Sequence, residues 1–327
     1  MRLISHPVLC NYYVTYRCNA SCSFCDIWEK PSPYITTESA EKNFKDLKRL
    51  GVKVIDFTGG EPLLHRQIDE LLELAKSYGF ITTLTTNTIL YPKLAQRLKG
   101  KIDMLHFSLD YASREKHDAM RGVACFDFLI ESIKIAKELG ERPDILFTAF
   151  EHNLQEIEQV YKNIILPNNL VLILNPAFEY NEVETGEKMT DSQLAILSNW
   201  GKKKNVYLNE GFIKLRKEGG NHTEKPVCKA ASTTIIISPE NKLLLPCYHL
   251  GIEALDIKDN LFDLYNSEQV QRLVALEGRY EKCEGCTINC YMQPSFAVEM
   301  NSYWWTALPS AIKYNRIKGT WKQLLKR

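Results

Sequence analysis

The sequence predicts an α/β fold built on a mostly parallel sheet, and three observations carry that prediction. Apolar strand-like runs alternate with amphipathic helical stretches through about residue 176. Polar clusters fall at the C-terminal ends of those runs, on one rim. The chain, 327 residues with 45% hydrophobic and 25% charged side chains, is long enough for one large domain and an appendage.

The elements follow in order. VLCNYYVTY is a strand leading into a cysteine-rich loop, and ESAEKNFKDLKRLG is a helix closing at Gly51. VKVIDFTGG is a strand ending in glycines, and QIDELLELAKSYG a helix closing at Gly79. ITTLTTN, a helix around PKLAQRLKG, and IDMLHFSLD continue the pattern. DFLIESIKIAKELG, DILFTAF, LQEIEQVYKNII and LVLILNP complete six strand–helix units. Apolar strands separated by helices imply a parallel sheet covered on both faces. Such a sheet is an open doubly wound sheet or a partial barrel, and in both the chemistry lies at the C-terminal strand ends. Beyond residue 180 the alternation stops. NEVETGEKMTDSQ is a polar linker into a helix, SQLAILSNWGKKK, and TTIIISPENKLLLPC is a hairpin turning at Pro239 to Asn241.

The 41 basic and 40 acidic residues nearly cancel, which excludes a nucleic-acid binder by whole-surface charge. No apolar run reaches eighteen residues, and the first residues lack the apolar core of a secretory signal, so a cytoplasmic location is expected. Ten cysteines in a reducing compartment point to metal or catalysis rather than disulfides. Cys10 and Cys125 sit alone in apolar settings and read as packing residues. Cys18, Cys22 and Cys25 form CNASCSFC, and Cys228, Cys247, Cys283, Cys286 and Cys290 form a second group. Three thiolates on one loop leave a four-iron cluster with an open position, which is a catalytic arrangement. The competing reading is structural zinc, which wants a fourth Cys or His nearby; the closest histidine is His6.

CNASCSFC, with an aromatic before the last cysteine, followed by GGEP, resembles the radical S-adenosylmethionine (SAM) superfamily over roughly residues 8 to 176. The resemblance implies a partial (β/α)6 TIM barrel with a [4Fe–4S] cluster on Cys18, Cys22 and Cys25, its fourth iron open to SAM. It implies reductive cleavage of SAM to a 5′-deoxyadenosyl radical that abstracts hydrogen from a substrate, with a flavodoxin or ferredoxin as electron donor. Gly59 and Gly60 then let backbone approach the methionine moiety, Glu61 accepts from its ammonium group, and Pro62 stiffens the turn. Asn87, Ser108 and Asp110 match rim positions that contact the ribose and methionine carboxylate in relatives. Phe24 matches an aromatic near the adenine, and Arg121 a position that reaches the SAM carboxylate.

The second cysteine group, with Cys228 and Cys247 straddling the hairpin and CxxCxxxC after a helix, resembles a SPASM or twitch extension, a small α+β unit. That resemblance implies an auxiliary [4Fe–4S] cluster, and five cysteines exceed the four it needs. Cys228 and Cys247 are the firmest ligands, and spacing does not choose among Cys283, Cys286 and Cys290. A four-cysteine zinc site is the alternative. The expected division is a barrel core over 1–180, a helical linker over 181–225, the auxiliary-cluster unit over 226–299, and a tail over 300–327.

The tail holds six basic residues (Lys313, Arg316, Lys318, Lys322, Lys326, Arg327), no acidic one, and three of the five tryptophans. Tyr314, Ile317, Trp321 and Leu324 fall on one helical face, so the tail is either a helix packed on the barrel or a peripheral membrane contact. The leading functional expectation is oxidation or cross-linking of a peptide or small metabolite, with the auxiliary cluster accepting electrons. The alternatives are radical modification of a membrane lipid or its precursor, and a non-catalytic iron–sulfur or zinc scaffold.

Overall fold

The computed structural model describes residues 1–178 and 188–319. Six parallel strands form its first half: β1 (Leu9–Thr15), β2 (Val54–Gly59), β3 (Ile81–Thr86), β4 (Met104–Ser108), β5 (Asp144–Ala149) and β6 (Val171–Pro176). Between them run α1 (Thr37–Arg49), α2 (Ile68–Ser77), α3 (Tyr91–Leu98), α4 (Arg114–Arg121) and α5 (Phe126–Glu138). A last crossover passes from α6 (Glu156–Val160) through a π-helical turn at Tyr161–Ile165 into α7 (Leu166–Asn168). These are the six strand–helix units legible in the sequence.

Four further strands extend the sheet. β7 (Val206–Tyr207) pairs parallel with β6, β8 (Thr234–Ile237) pairs parallel with β1, and β9 (Lys242–Leu245) and β10 (Glu253–Asp256) follow antiparallel. The order is β10-β9-β8-β1-β2-β3-β4-β5-β6-β7, an open, partial-barrel sheet rather than a closed ring. The expected hairpin is present with Asn241 at φ 59 in its turn, and it continues the barrel's sheet. Strands β7 and β10 were not expected: two and four residues carry too little periodicity to be read.

Period-two alternation decides what each face holds. Ile55 and Phe57 of β2 pack in the main core with Phe44 and Leu47 of α1 and Leu71 and Leu72 of α2. Each such buried side chain contributes about 1.5–3 kcal/mol. Asp56 between them therefore faces the concave side, where its carboxylate accepts from the Thr83 hydroxyl of β3. Cys10 and Cys125 are both buried, as packing residues should be.

The second half supplies α8 (Asp191–Gly201), α9 (Glu210–Lys217), α10 (Ala230–Thr233), α11 (Leu261–Asn266), α12 (Glu268–Ala275), α13 (Asn289–Val298) and α14 (Ser302–Lys318). α14 docks its C-terminal half on the N-terminal end of the barrel. Tyr314 donates to Asp144 at 2.6 Å, Lys318 pairs with the same fully buried carboxylate at 2.8 Å, and Tyr314 and Ile317 pack with Val171 and Ile173 of β6. The face begun by Tyr314 and Ile317 is thus a packing face; Trp321 and Leu324 lie outside the described residues. Among the described residues, no helix is long and apolar enough to cross a membrane.

Candidate active site

The cysteine loop leaves β1 at the C-terminal rim and is clamped from two sides. On one side the β2 turn presses against it: Gly60 N–H donates to Thr15 O and Glu61 N–H to Arg17 O, both at 2.9 Å. A Cβ on Gly59, at φ 144, would lie 1.9 Å from Thr15 O, and one on Gly60 2.2 Å from Arg17 O. Both positions therefore require glycine, and the close approach in this structure is to the cysteine loop itself. On the other side, Ser21 and Ser23 N–H groups donate to Arg121 O and Met120 O at 3.1 Å. Gly122, at φ 64, leaves room for Ser21, whose Oγ would sit 2.3 Å from a Cβ there.

Glu61 is buried and its carboxylate is committed to the protein. Oε1 accepts from Thr86 Oγ1 at 2.9 Å and Leu63 N–H at 3.0 Å, and Oε2 from Asn87 N–H at 2.8 Å. Burial pushes its pKa up to about 7 despite those bonds. The residue fastens the end of β3 to the β2 turn, where Pro62 begins a short 3-10 helix. Asn87 then turns inward: its Nδ2 donates to Asn19 Oδ1 at 2.7 Å and lies 4.0 Å from Cys18 Sγ.

Beyond β4, Ser108 is buried and Asp110 fully so. Asp110 accepts from Thr148 N–H at 3.1 Å and pairs with Arg121 Nη2 at 2.6 Å. Arg121 Nη1 reaches Cys22 Sγ at 3.8 Å, and its guanidinium stands 5.3 Å over the Phe24 ring. Burial works against the charge of both Asp110 and Arg121, and each opposes that effect in the other. Phe24 also meets Phe150, 5.2 Å between centroids, in an apolar group with Tyr111 and Met120. The structure thus brings Cys18, Cys22, Phe24, Gly59, Gly60, Glu61, Pro62, Asn87, Asp110 and Arg121 to one rim. Burial pushes the Cys18 thiol up to about 12, with Cys22 and Cys25 among its electrostatic neighbours.

The second cysteine group is organised by a residue that no sequence pattern marks. Asn221 is fully buried. Its Oδ1 accepts from Val227 and Cys228 N–H at 3.0 and 3.1 Å, and its Nδ2 donates to Gly278 O and Cys283 O at 2.8 and 3.1 Å. Cys228 feels Cys286 and Cys247, and Cys247 feels Cys286 and Cys283. Cys290 stands apart. Burial raises its thiol to about 11 and Asp56 adds to the rise, and Cys290 in turn bears on Tyr13 of β1. That burial is of the thiol's wider surroundings, since the residue's own surface is exposed.

Arg216 of α9 is the second residue missed. Its guanidinium donates to Pro176 O and Ala177 O at 3.0 Å and to Asn289 Oδ1 at 3.2 Å, with no carboxylate partner among the described residues. Burial lowers its pKa to about 10 and Cys286 opposes the fall. Backbone and amide oxygens, including Phe212 O and Thr287 O, thus satisfy the guanidinium without a carboxylate.

Among the described residues, no group of three or more His, Cys, Asp or Glu forms a ready-made metal site. The donor set fits an iron–sulfur centre nonetheless: amide and guanidinium nitrogens are aimed at Cys18 and Cys22 sulfurs, which are strong acceptors only as thiolates.

Residues 12–164 match the model described as Radical SAM superfamily. The chain is 36% identical over 161 residues to a probable GTP 3′,8-cyclase of Saccharolobus islandicus (strain M.14.25 / Kamchatka #1), covering 48% of this chain and 52% of that protein. A probable GTP 3′,8-cyclase of Pyrococcus horikoshii is 33% identical over 129 residues, 38% of this chain and 42% of that protein. The likeness thus spans about half the length of these relatives or less. In fold, the chain resembles Streptococcus suis SuiB bound to S-adenosylmethionine, with TM-score 0.69, 18% identity, and 92% of this chain and 76% of that one covered. It also resembles native anSMEcpe with bound AdoMet, with TM-score 0.64, 16% identity, and 98% and 99% covered.

Proposed function

Because residues 12–164 match the radical SAM superfamily, we propose that the chain is a member that binds a [4Fe–4S] cluster on Cys18, Cys22 and Cys25 with SAM beside it and abstracts hydrogen from a peptide or small metabolite. The observation that carries this reading is the convergence of Asn87 and Arg121 on two of the three cysteine sulfurs, on the C-terminal rim. A bound cluster would supply one-electron reduction of SAM to a 5′-deoxyadenosyl radical, with a flavodoxin or ferredoxin as the electron source.

The chain's own residues prepare that chemistry. Arg121 places a charge-assisted donor on Cys22, and Asp110 holds the guanidinium there. Glu61 locks the β2 turn and the end of β3 into one unit, so the loop cannot drift from the rim. Phe24, Phe150, Tyr111 and Met120 offer an apolar surface suited to the adenine ring. Cys228, Cys247, Cys283 and Cys286 hold a second four-iron cluster, with Arg216 offsetting its negative charge. Cys290, facing Asp56, is the cysteine left over.

Anaerobic reconstitution, a count of iron and sulfide, and an assay for 5′-deoxyadenosine under dithionite test the reading. Two clusters correspond to about eight irons per chain. GTP, the substrate in the relatives' names, and peptides, as in SuiB bound to its precursor peptide SuiA, are the first substrates to add. Bound zinc without deoxyadenosine identifies a scaffold and sinks the proposal.

A further inference from the structure

The outer face of α14 carries a feature that the radical chemistry leaves unused. Trp305, Leu308 and Ile312 line an open groove of about 730 Å³, with Lys204 and Arg316 at its edges. Trp305 is 58% exposed, beyond any other large apolar side chain among the described residues except Met1. Its ring meets Trp304 edge-on, 4.6 Å between centroids. Positions 305, 308, 312 and 316 follow helical spacing, so apolar and basic residues share one stripe, exposed at Trp305 and Arg316 and half-buried at Leu308 and Ile312. The groove runs up to the face through which α14 packs on the barrel, since Ile317 and Lys313 also line it.

Charge beside the groove is predominantly basic, with Glu158 near enough to Lys203 to feel its charge. Lys202, Lys203 and Lys204 are consecutive and exposed beside the groove, and the sequence from 300 to 327 holds no acid. Lys313 is spent on the carbonyls of Gly201 and Lys203, which clamps α14 to the end of α8 and brings the lysine run alongside the groove. Neither Lys204 nor Arg316 has an ion-pair partner among the described residues.

We propose that this face is a peripheral docking surface for an anionic membrane. Exposed tryptophan and aliphatic side chains suit the headgroup boundary, and flanking Lys and Arg suit acidic lipids. The inference is independent of the radical SAM reading.

Sedimentation of the full chain with phosphatidylcholine vesicles, with and without phosphatidylglycerol, tests it. The account expects binding only with phosphatidylglycerol, weakened by added salt as screening shortens the field. K204Q and R316Q should each weaken binding about fivefold, and W305S should weaken it with both cations intact. All three side chains are exposed and make no described ion pair, so circular dichroism should match the parent. No binding to either vesicle, equal binding to both, or parental binding by the K204Q/R316Q variant overturns the proposal. Binding to polyglutamate but not to phosphatidylglycerol vesicles also overturns it and identifies an acidic protein partner instead.

Discussion

Arg121 joins two fates: one guanidinium nitrogen lies 2.6 Å from a fully buried Asp110 oxygen and another 3.8 Å from Cys22 Sγ. Removing the cation strands a buried carboxylate, which costs about 3–5 kcal/mol, whereas removing both charges leaves none to strand. R121Q should therefore be strongly destabilised, and D110N/R121Q should recover most of the loss. Denaturant unfolding of the apo protein under anaerobic conditions reads the cycle. Additive losses would show that the pair is not coupled.

Gly59 faces Thr15 O so closely that a methyl group must move one of the two backbones. G59A should displace the cysteine loop and reduce iron incorporation at the first site, while the second cysteine group, on other elements, loads as before. Iron content near one cluster per chain is expected. Full loading of G59A would refute the clamp.

The five cysteines of the second group should separate by position. C290S should retain iron near the parental level, since Cys290 faces Asp56 and Tyr13. C247S should lose one cluster's worth. Equal loss in both variants would make Cys290 a ligand.

Much of this site was legible because its chemistry is carried by residue types at strand ends. The three cysteines, GGEP and Asn87 lie where the alternation of strands and helices placed the rim. What the spacing could not supply was the partner of each group. Glu61 reads as an acceptor for the ammonium group, and the spacing did not show that its carboxylate also holds Thr86, Leu63 and Asn87. Gly59 and Gly60 read as letting backbone approach the methionine moiety, and the spacing did not show that they also let the cysteine loop approach the β2 turn. Asn221 and Arg216 are single polar residues whose partners lie tens of residues away, and no local pattern marks them. The tail's packing on the barrel was one of the two readings its amphipathic face offered, but not the partner: Tyr314 meets Asp144, 170 residues distant in sequence.

Asp56 gives a pH dependence of definite sign. Burial raises its carboxyl to about 6 from an ordinary 3.8, and Thr83 only partly offsets this. The folded state thus favours the protonated form, and its contribution is complete below the ordinary value and lost as pH rises through about 6. D56N should be more stable than the parent by about 2–3 kcal/mol at pH 8, and the advantage should vanish near pH 4. Anaerobic thermal unfolding at the two pH values checks it, and a constant difference would contradict it.

The most direct measurement is of 5′-deoxyadenosine formed by the reconstituted chain with SAM and dithionite, compared with C22A. The account predicts deoxyadenosine from the parent protein and none from C22A. Iron-loaded parent protein that forms no deoxyadenosine, or C22A that forms as much as the parent, would contradict it.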